Sequence, residues 1–333
     1  MNMKAWVRDQ IANPEKKPMP ILSFPCVQLM GIGVKELIAS SDFQSRGMKL
    51  IADRVDSAAA VSLMDLSVEA EAFGSTIRVS DDEVPTVIGA IVEDEDEADE
   101  LEIPEVGAGR TGLYIESLKK AKALITDRPV FAGCIGPYSL AGRLMDVSEI
   151  MILCYDEPDM VHTVMEKVTQ FQIDYCKAYR DAGADGVLIA EPLVGLLSPS
   201  LAQEFSHPYM KQLIDEVQTD DFIVIYHNCG NNTPYMKDDI YTLGAAAYHF
   251  GDAIDLKVMF DGAPADALIM GNVSPSQQFL GGTTDSIREE THRIMADCAA
   301  YDNFLISSGC DIPPIAKWEN IDAFFEAAKD FQK

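Results

Sequence analysis

Short apolar runs alternate with longer stretches of helical periodicity along this chain. Eight runs stand out: Ile21–Val27, Ala60–Asp65, Val130–Ile135, Val187–Glu191, Phe222–His227, Ala247–Phe250, Leu268–Gly271 and Phe304–Ser308. They are continuous rather than alternating, rich in β-branched and aromatic residues, and bounded by Gly, Pro or Asn. That is the pattern of strands buried on both faces. Between them lie helical patterns. Glu157–Ala182 opens with Pro158 and stops at Gly183, and Pro199–Thr219 follows Ser198 as N-cap. Thr283–Ala300 and Glu319–Phe331 are further helices. Strand–helix alternation with eight strands predicts an α/β fold, a single (β/α)8 TIM barrel over residues 1–333. No G-x-G-x-x-G follows a strand, which counts against a dinucleotide-binding sheet.

Residues 74–112 interrupt the alternation. T-I-R-V (76–79) and T-V-I-G-A-I-V (86–92) predict a small hairpin insertion after strand two. The acidic run E-D-E-D-E-A-D-E (93–100) reads as a solvated loop or helix cap, since it lacks the glycine turn of a calcium loop.

Charge narrows the partners. With 26 Lys and Arg against 54 Asp and Glu, the net charge is −28. Phosphate backbones and anionic membranes require clustered cations, so neither nucleic acid nor a membrane surface is expected as a partner. Seven cysteines, an odd number in a long chain, point to reduced thiols rather than a disulfide framework. The start, M-N-M-K-A-W-V-R-D-Q, has no apolar signal region, and no run of 18 apolar residues occurs. A cytoplasmic protein is expected.

Candidate chemistry sits where strands end, because βα loops carry the active site of such barrels. Y-H-N-C-G (226–230) ends one predicted strand, and S-S-G-C-D (307–311) ends the last. His227 and Cys229 are two apart and face the same way on an extended chain. With Cys310 they offer one imidazole and two thiolates, a zinc donor set that leaves a fourth position open. The same three residues also suit ordinary packing, because a buried Cys behaves as a small hydrophobe. Both readings stand on the residues alone. His162, His207, His249 and His292 have no partners at ligand spacing and read as structural or surface residues, and Cys26 ends strand one.

Several stretches resemble the uroporphyrinogen decarboxylase superfamily. They are A-A-V-S-L-M-D-L (59–66), G-P-Y-S-L-A (136–141), G-A-D-G-V-L-I-A-E-P-L-V-G-L-L-S-P (183–199) and F-S-H-P-Y-M-K (205–211). M-G-N-V-S-P (270–275) and E-N-I-D-A-F-F-E (319–326) extend the likeness to the C-terminal end. The superfamily fold is a (β/α)8 barrel. Its decarboxylases carry an Arg-rich N-terminal motif that grips porphyrinogen carboxylates, and a late G-H-G. Here S-F-P-C-V-Q-L-M-G-I-G (23–33) has no Arg, and G-C-D (309–311) replaces G-H-G. H-x-C with a late Cys is similar to the cobamide methyltransferase branch, whose members bind zinc through His, Cys and Cys. They transfer methyl groups between a corrinoid protein and a thiol such as coenzyme M.

The resemblance implies His227, Cys229 and Cys310 as zinc ligands. It implies Glu191 as a fourth, displaceable ligand, or as a carboxylate closing a hydrogen-bond network. Asp65 would position substrate or corrinoid, or cap a loop. Tyr138 and Asn272 would line the pocket, and Asn228 would point away from the ligands. The cofactors implied are Zn2+ and a methylcobamide corrinoid carried by a separate corrinoid protein, since no D-x-H-x-x-G motif is present. The other partner would be a small thiol, with coenzyme M, homocysteine, another thiol or a folate open as acceptor. Two alternatives remain: a decarboxylase of a porphyrinogen or smaller acid, and a non-catalytic corrinoid- or thiol-binding barrel.

Overall fold

The computed structural model describes residues 1–331. Nine strands occur among them: β1 Ala60–Val61, β2 Thr76–Arg78, β3 Thr86–Ile88, β4 Val130–Ile135, β5 Gly186–Ala190, β6 Ile223–Asn228, β7 Ala247–Phe250, β8 Leu268–Val273 and β9 Phe304–Ser308. Seven form one curled parallel sheet in the order β1-β4-β5-β6-β7-β8-β9. β2 and β3 form a separate antiparallel pair in which Thr76 lies opposite Ile88. Helices separate the parallel strands along the chain, as crossover connections between parallel neighbours require.

The expected first strand, Ile21–Val27, is not a strand. Its second half turns into the helix Cys26–Met30 after Pro25. Its start belongs to an extended stretch that meets both edges of the sheet. The Met19 N–H donates to the Ile306 carbonyl of β9 (3.0 Å), and the Ala58 N–H just before β1 donates to the Pro18 carbonyl (3.0 Å). Pro18 and Pro20 have no N–H to give, so no regular ladder can form there. The chain thus has a seven-stranded sheet and a proline-bearing segment where an eighth strand was expected.

β1 is also shorter than its apolar run. Past Val61, the Ser62 hydroxyl accepts the Gly133 N–H (2.9 Å), a place a ladder carbonyl would otherwise take. The expected helix Pro199–Thr219 is two helices, Pro199–Phe205 and His207–Val217. Pro208 cannot continue the first but suits the opening turn of the second. The acidic run forms the short helix Glu95–Glu100, capped by the Asp94 side chain on the Glu97 N–H (2.9 Å). The carboxylates of its first turn sit favourably at the positive end of the helix dipole.

Side-chain parity divides the core in two. Leu188 and Ala190 of β5, Ile223 and Ile225 of β6, Ala247, Leu268, Met270 and Leu305 pack together with Met3 and Val7 of the N-terminal helix. Apart from that helix the cluster draws on strands and the short stretches flanking them, so it fills the concave side of the sheet. The alternate residues, among them Val187, Ile189, Val224, Tyr226, Tyr248 and Phe250, pack against the helices. This period of two decides which strand-end side chains can meet. No helix among the described residues is long and apolar enough to cross a membrane.

Candidate metal centre

β6 continues its inward set 223, 225 with His227, whose side chain is almost wholly buried (1% exposed). Cys229 follows β6 and Cys310 follows β9, and both are half-buried at the rim of the same concave side. The ligand atoms of His227, Cys229 and Cys310 all lie within 4.8 Å of one another. Cys310 Sγ is 3.6 Å from His227 Nε2. A tetrahedral zinc, with bonds of about 2.3 Å to sulfur and about 2.05 Å to nitrogen, holds its N and S ligands about 3.6 Å apart. The donor set and its spacing both fit that ion.

Glycines make the close approach possible. A Cβ on Gly251 would lie 2.3 Å from the Cβ of Cys229, and one on Gly309 would lie 2.6 Å from the Asp252 backbone nitrogen. After Cys229 the turn is shaped by Asn228, whose Oδ1 accepts from the Gly230 N–H (3.0 Å) and the Thr233 hydroxyl (2.7 Å). Its Nδ2 donates to the Tyr226 hydroxyl (3.1 Å), so Asn228 builds the loop and not the donor set.

Electrostatics separate the two thiols. Cys229 is drawn below its usual pKa, first by a hydrogen bond with Cys310. The same bond, and then burial, push Cys310 up to about 12. The two sulfurs are thus close enough to share a proton.

His227 has a second histidine behind it. Its parallel-register neighbour on β7 is His249. His227 Nδ1 lies 2.8 Å from His249 Nδ1 and 3.2 Å from the His249 carbonyl oxygen. His249 Nε2 is 2.7 Å from the Ser307 Oγ of β9, and the Ser307 hydroxyl donates to the Met19 carbonyl (2.7 Å). Burial, then the proximity of His227, hold His249 well below the usual histidine pKa. His249, expected as a structural or surface residue, is buried and bonded on both ring nitrogens, and one sequence signal bears on its pairing with His227. The signal was the repeated Tyr-His pair, 226–227 and 248–249, on strands that turn out to be neighbours in register.

The structure does not bring Glu191 to the three ligands. It continues the outward set 187, 189 of β5. Its Oε1 accepts the Tyr138 N–H (3.0 Å), and its Oε2 accepts the Ser139 N–H (3.0 Å) and hydroxyl (2.6 Å). Both oxygens are thus taken at the N-terminus of the helix Pro137–Leu144, with Gly136 leaving the room. Burial raises its pKa to about 7. Of the two roles expected for Glu191, this geometry is that of a hydrogen-bond network.

The other expected site residues are also engaged. Asp65, with a wholly buried side chain, pairs with Arg110 and accepts from the Tyr114 hydroxyl (2.7 Å) and Ser67. Arg110, from the interrupting segment, also binds Glu71 and had no signal in the sequence. The Tyr138 hydroxyl meets Cys154 Sγ (3.6 Å) within the core. The Asn272 amide nitrogen donates to the Gly251 (2.9 Å) and Ile254 (2.7 Å) carbonyls. Neither Tyr138 nor Asn272 presents that group to the three ligands. Cys26 lies in a helix and is pushed up to about 12 by burial and then by Asp311.

Comparison with known proteins gives a consistent frame. The profile described as uroporphyrinogen decarboxylase (URO-D) matches residues 25–331. The methylcobamide:CoM methyltransferase MtbA of Methanosarcina acetivorans is 26% identical over 272 residues, covering 80% of this chain and 78% of that protein. The uroporphyrinogen decarboxylase of Coxiella burnetii is 25% identical over 288 residues, covering 82% of this chain and 77% of its own. Among solved structures, a methyltransferase from Methanosarcina mazei superposes with a TM-score of 0.86 at 22% identity, over 99% of both chains.

Proposed function

The chain belongs to the uroporphyrinogen decarboxylase family, and on that footing we propose that it is a zinc-dependent methyltransferase. It moves a methyl group from a methylated corrinoid, brought by a separate corrinoid protein, to a small thiol. The carrying observation is the His227–Cys229–Cys310 arrangement, with its 3.6 Å separation between imidazole nitrogen and Cys310 sulfur. The similarity to a methylcobamide:CoM methyltransferase supports the corrinoid and the thiol.

His227, Cys229 and Cys310 hold the zinc. Bound there, zinc supplies the Lewis acidity that lets an acceptor thiol lose its proton at neutral pH. Two thiolates and a neutral imidazole offset the charge of the ion, which leaves the acceptor sulfur electron-rich. In the transfer the acceptor S–C bond forms as the Co–C bond breaks, and the electron pair of that bond stays on cobalt. The thiol proton goes to solvent. The half-buried sulfurs face the rim while His227 is sealed beneath them, so the acceptor enters from the rim side. What the chain contributes is in-line positioning and exclusion of water below the site.

A decarboxylase would need cations to grip substrate carboxylates. The arginine nearest in role, Arg110, is already committed to Asp65 and Glu71, and residues 23–33 hold none.

The test is metal content of protein purified without chelator, with Cys229→Ser and Cys310→Ser alongside, followed by methylation of thiols from free methylcobalamin. About one zinc per chain, lost in both variants, with methyl transfer in the wild type, is expected. Zinc-free protein, or zinc kept in both variants, returns the decarboxylase reading. Zinc without transfer to any thiol favours a binding barrel.

A further inference from the structure

We infer that His249 and Ser307 are positioning residues for the metal centre: they hold His227 with its proton on Nδ1 and its Nε2 lone pair facing the two sulfurs. The inference rests on the reading of His227, Cys229 and Cys310 as zinc ligands.

Proton assignment follows from which atoms can only accept. His227 Nδ1 lies 3.2 Å from the His249 carbonyl, an obligate acceptor, so Nδ1 of His227 carries the hydrogen. The same Nδ1 is 2.8 Å from His249 Nδ1. Two N–H groups cannot face each other at that distance, so His249 Nδ1 is a lone pair and His249 is neutral. Its proton then sits on Nε2, 2.7 Å from Ser307 Oγ. Ser307 has one hydrogen, and it goes to the Met19 carbonyl at 2.7 Å. The Ser307 oxygen is therefore free to accept from His249. Every link has one donor and one acceptor, and the run ends on the Met19 carbonyl.

Only one tautomer of His227 satisfies this set. It leaves Nε2 unprotonated, and Nε2 is the nitrogen 3.6 Å from Cys310 Sγ. Metal-ligating histidines are commonly held by a partner on the other ring nitrogen, usually a carboxylate or a carbonyl. Here the partner is a second imidazole backed by a hydroxyl, so the support is neutral. Both rings and the hydroxyl are buried, with His249 and Ser307 both at 0% exposure. Water cannot substitute for a missing link without entering that space.

The experiment has two arms. Wild-type protein labelled with 15N, metal-free at neutral pH, gives long-range proton–nitrogen spectra in which each ring nitrogen reports its protonation. Five histidines make the assignment tractable. Expected are Nδ1–H for His227 and Nε2–H for His249, and Nε2–H on His227 would overturn the inference. In the second arm, zinc affinity is measured by competition with a chromophoric chelator. His249→Phe keeps the ring volume but cannot accept, and is expected to weaken zinc by roughly 10–100-fold. His249→Gln, which offers an acceptor oxygen, should recover part of that loss, and Ser307→Ala should lie between Gln and wild type. Wild-type affinity in both folded His249→Phe and Ser307→Ala would also overturn the inference. If His249→Phe does not fold, Ser307→Ala and the wild-type spectrum decide. If the wild type takes no zinc, the proposed function falls, and the spectrum alone judges the proton arrangement.

Discussion

Cys310 Sγ lies 3.6 Å from His227 Nε2 although the two residues leave strands with two others between them. β7 and β8 stand between β6 and β9, so only curvature of the sheet brings these two side chains together. Flattening it would separate them by several strand spacings of about 4.8 Å each. The cluster is therefore a property of the curled sheet as a whole, and small intrusions at the strand ends around it should be felt there.

Gly251→Ala is such an intrusion. The new methyl would stand 2.3 Å from the Cys229 Cβ, far inside contact distance. Overpacking of this kind costs about 1–3 kcal/mol, and here the chain that gives way carries a ligand. Zinc affinity is expected to drop at least about tenfold while the far-ultraviolet circular dichroism of the folded protein is retained. Unchanged affinity would mean that Cys229 lies outside the donor set.

Glu191→Ala separates a ligand from a strut. The change leaves the Tyr138 N–H, the Ser139 N–H and the Ser139 hydroxyl without their acceptor. Each buried, unmet donor costs about 1–3 kcal/mol. Denaturant unfolding should show a loss of at least about 3 kcal/mol on that scale, with the zinc content of the folded fraction unchanged. Zinc lost in proportion to Glu191 removal would reinstate it as a ligand.

Arg110→Met removes the cation beside Asp65, whose side chain is 0% exposed against 14% for Arg110. Taking one partner from a buried pair leaves an uncompensated charge and costs about 3–5 kcal/mol. The double variant Arg110→Met with Asp65→Leu should regain much of the loss in equilibrium unfolding. A single variant as stable as wild type would show that the pair carries no such cost.

Two buried carboxyls set a pH dependence. Burial raises both Glu69 and Glu191 from 4.5 to about 7. A raised acid favours the protonated folded form, so its contribution is complete below 4.5 and is lost as pH climbs through 7. Each accounts for roughly 3 kcal/mol across that window. Melting temperature should accordingly fall between pH 5 and pH 8. Glu69 Oε2 has no hydrogen-bond partner among the described residues, so Glu69→Gln should flatten the slope, whereas a change at exposed Glu83 should not. A flat wild-type profile over this range would refute the assignment.

Seven of the eight apolar runs coincide with strands of the parallel sheet, because continuous β-branched and aromatic runs have few other ways to be buried. Ile21–Val27 failed because Pro18 and Pro20 just before it have no N–H for a ladder and its second half turns into the helix Cys26–Met30 after Pro25. The pairing of His227 with Cys229 was legible from the two-residue period, and Cys310 from its place after the last strand. Of the two roles open to Glu191, ligand or hydrogen-bond acceptor, a strand-end position alone could not choose. The face it belongs to was already readable from Val187 and Ile189, which are core residues on the helix side. The contact of His249 with His227 could not be read for a different reason. Its partner is set by the register between two strands, and no spacing along one chain encodes register. Arg110 reaches Asp65 from an irregular segment with no periodicity to place it.

The Met19 carbonyl gives the N-terminal segment a second consequence. That carbonyl ends the run of hydrogen bonds from His227 through His249 and Ser307, and the same residue joins the edge of β9. Met19 and Ser307 stand 288 residues apart along the chain. The His227 imidazole is thus backed by a contact of very long sequence separation, a class of contact that forms slowly. On the proposed zinc site, uptake of the ion would follow closure of that contact and come late in folding.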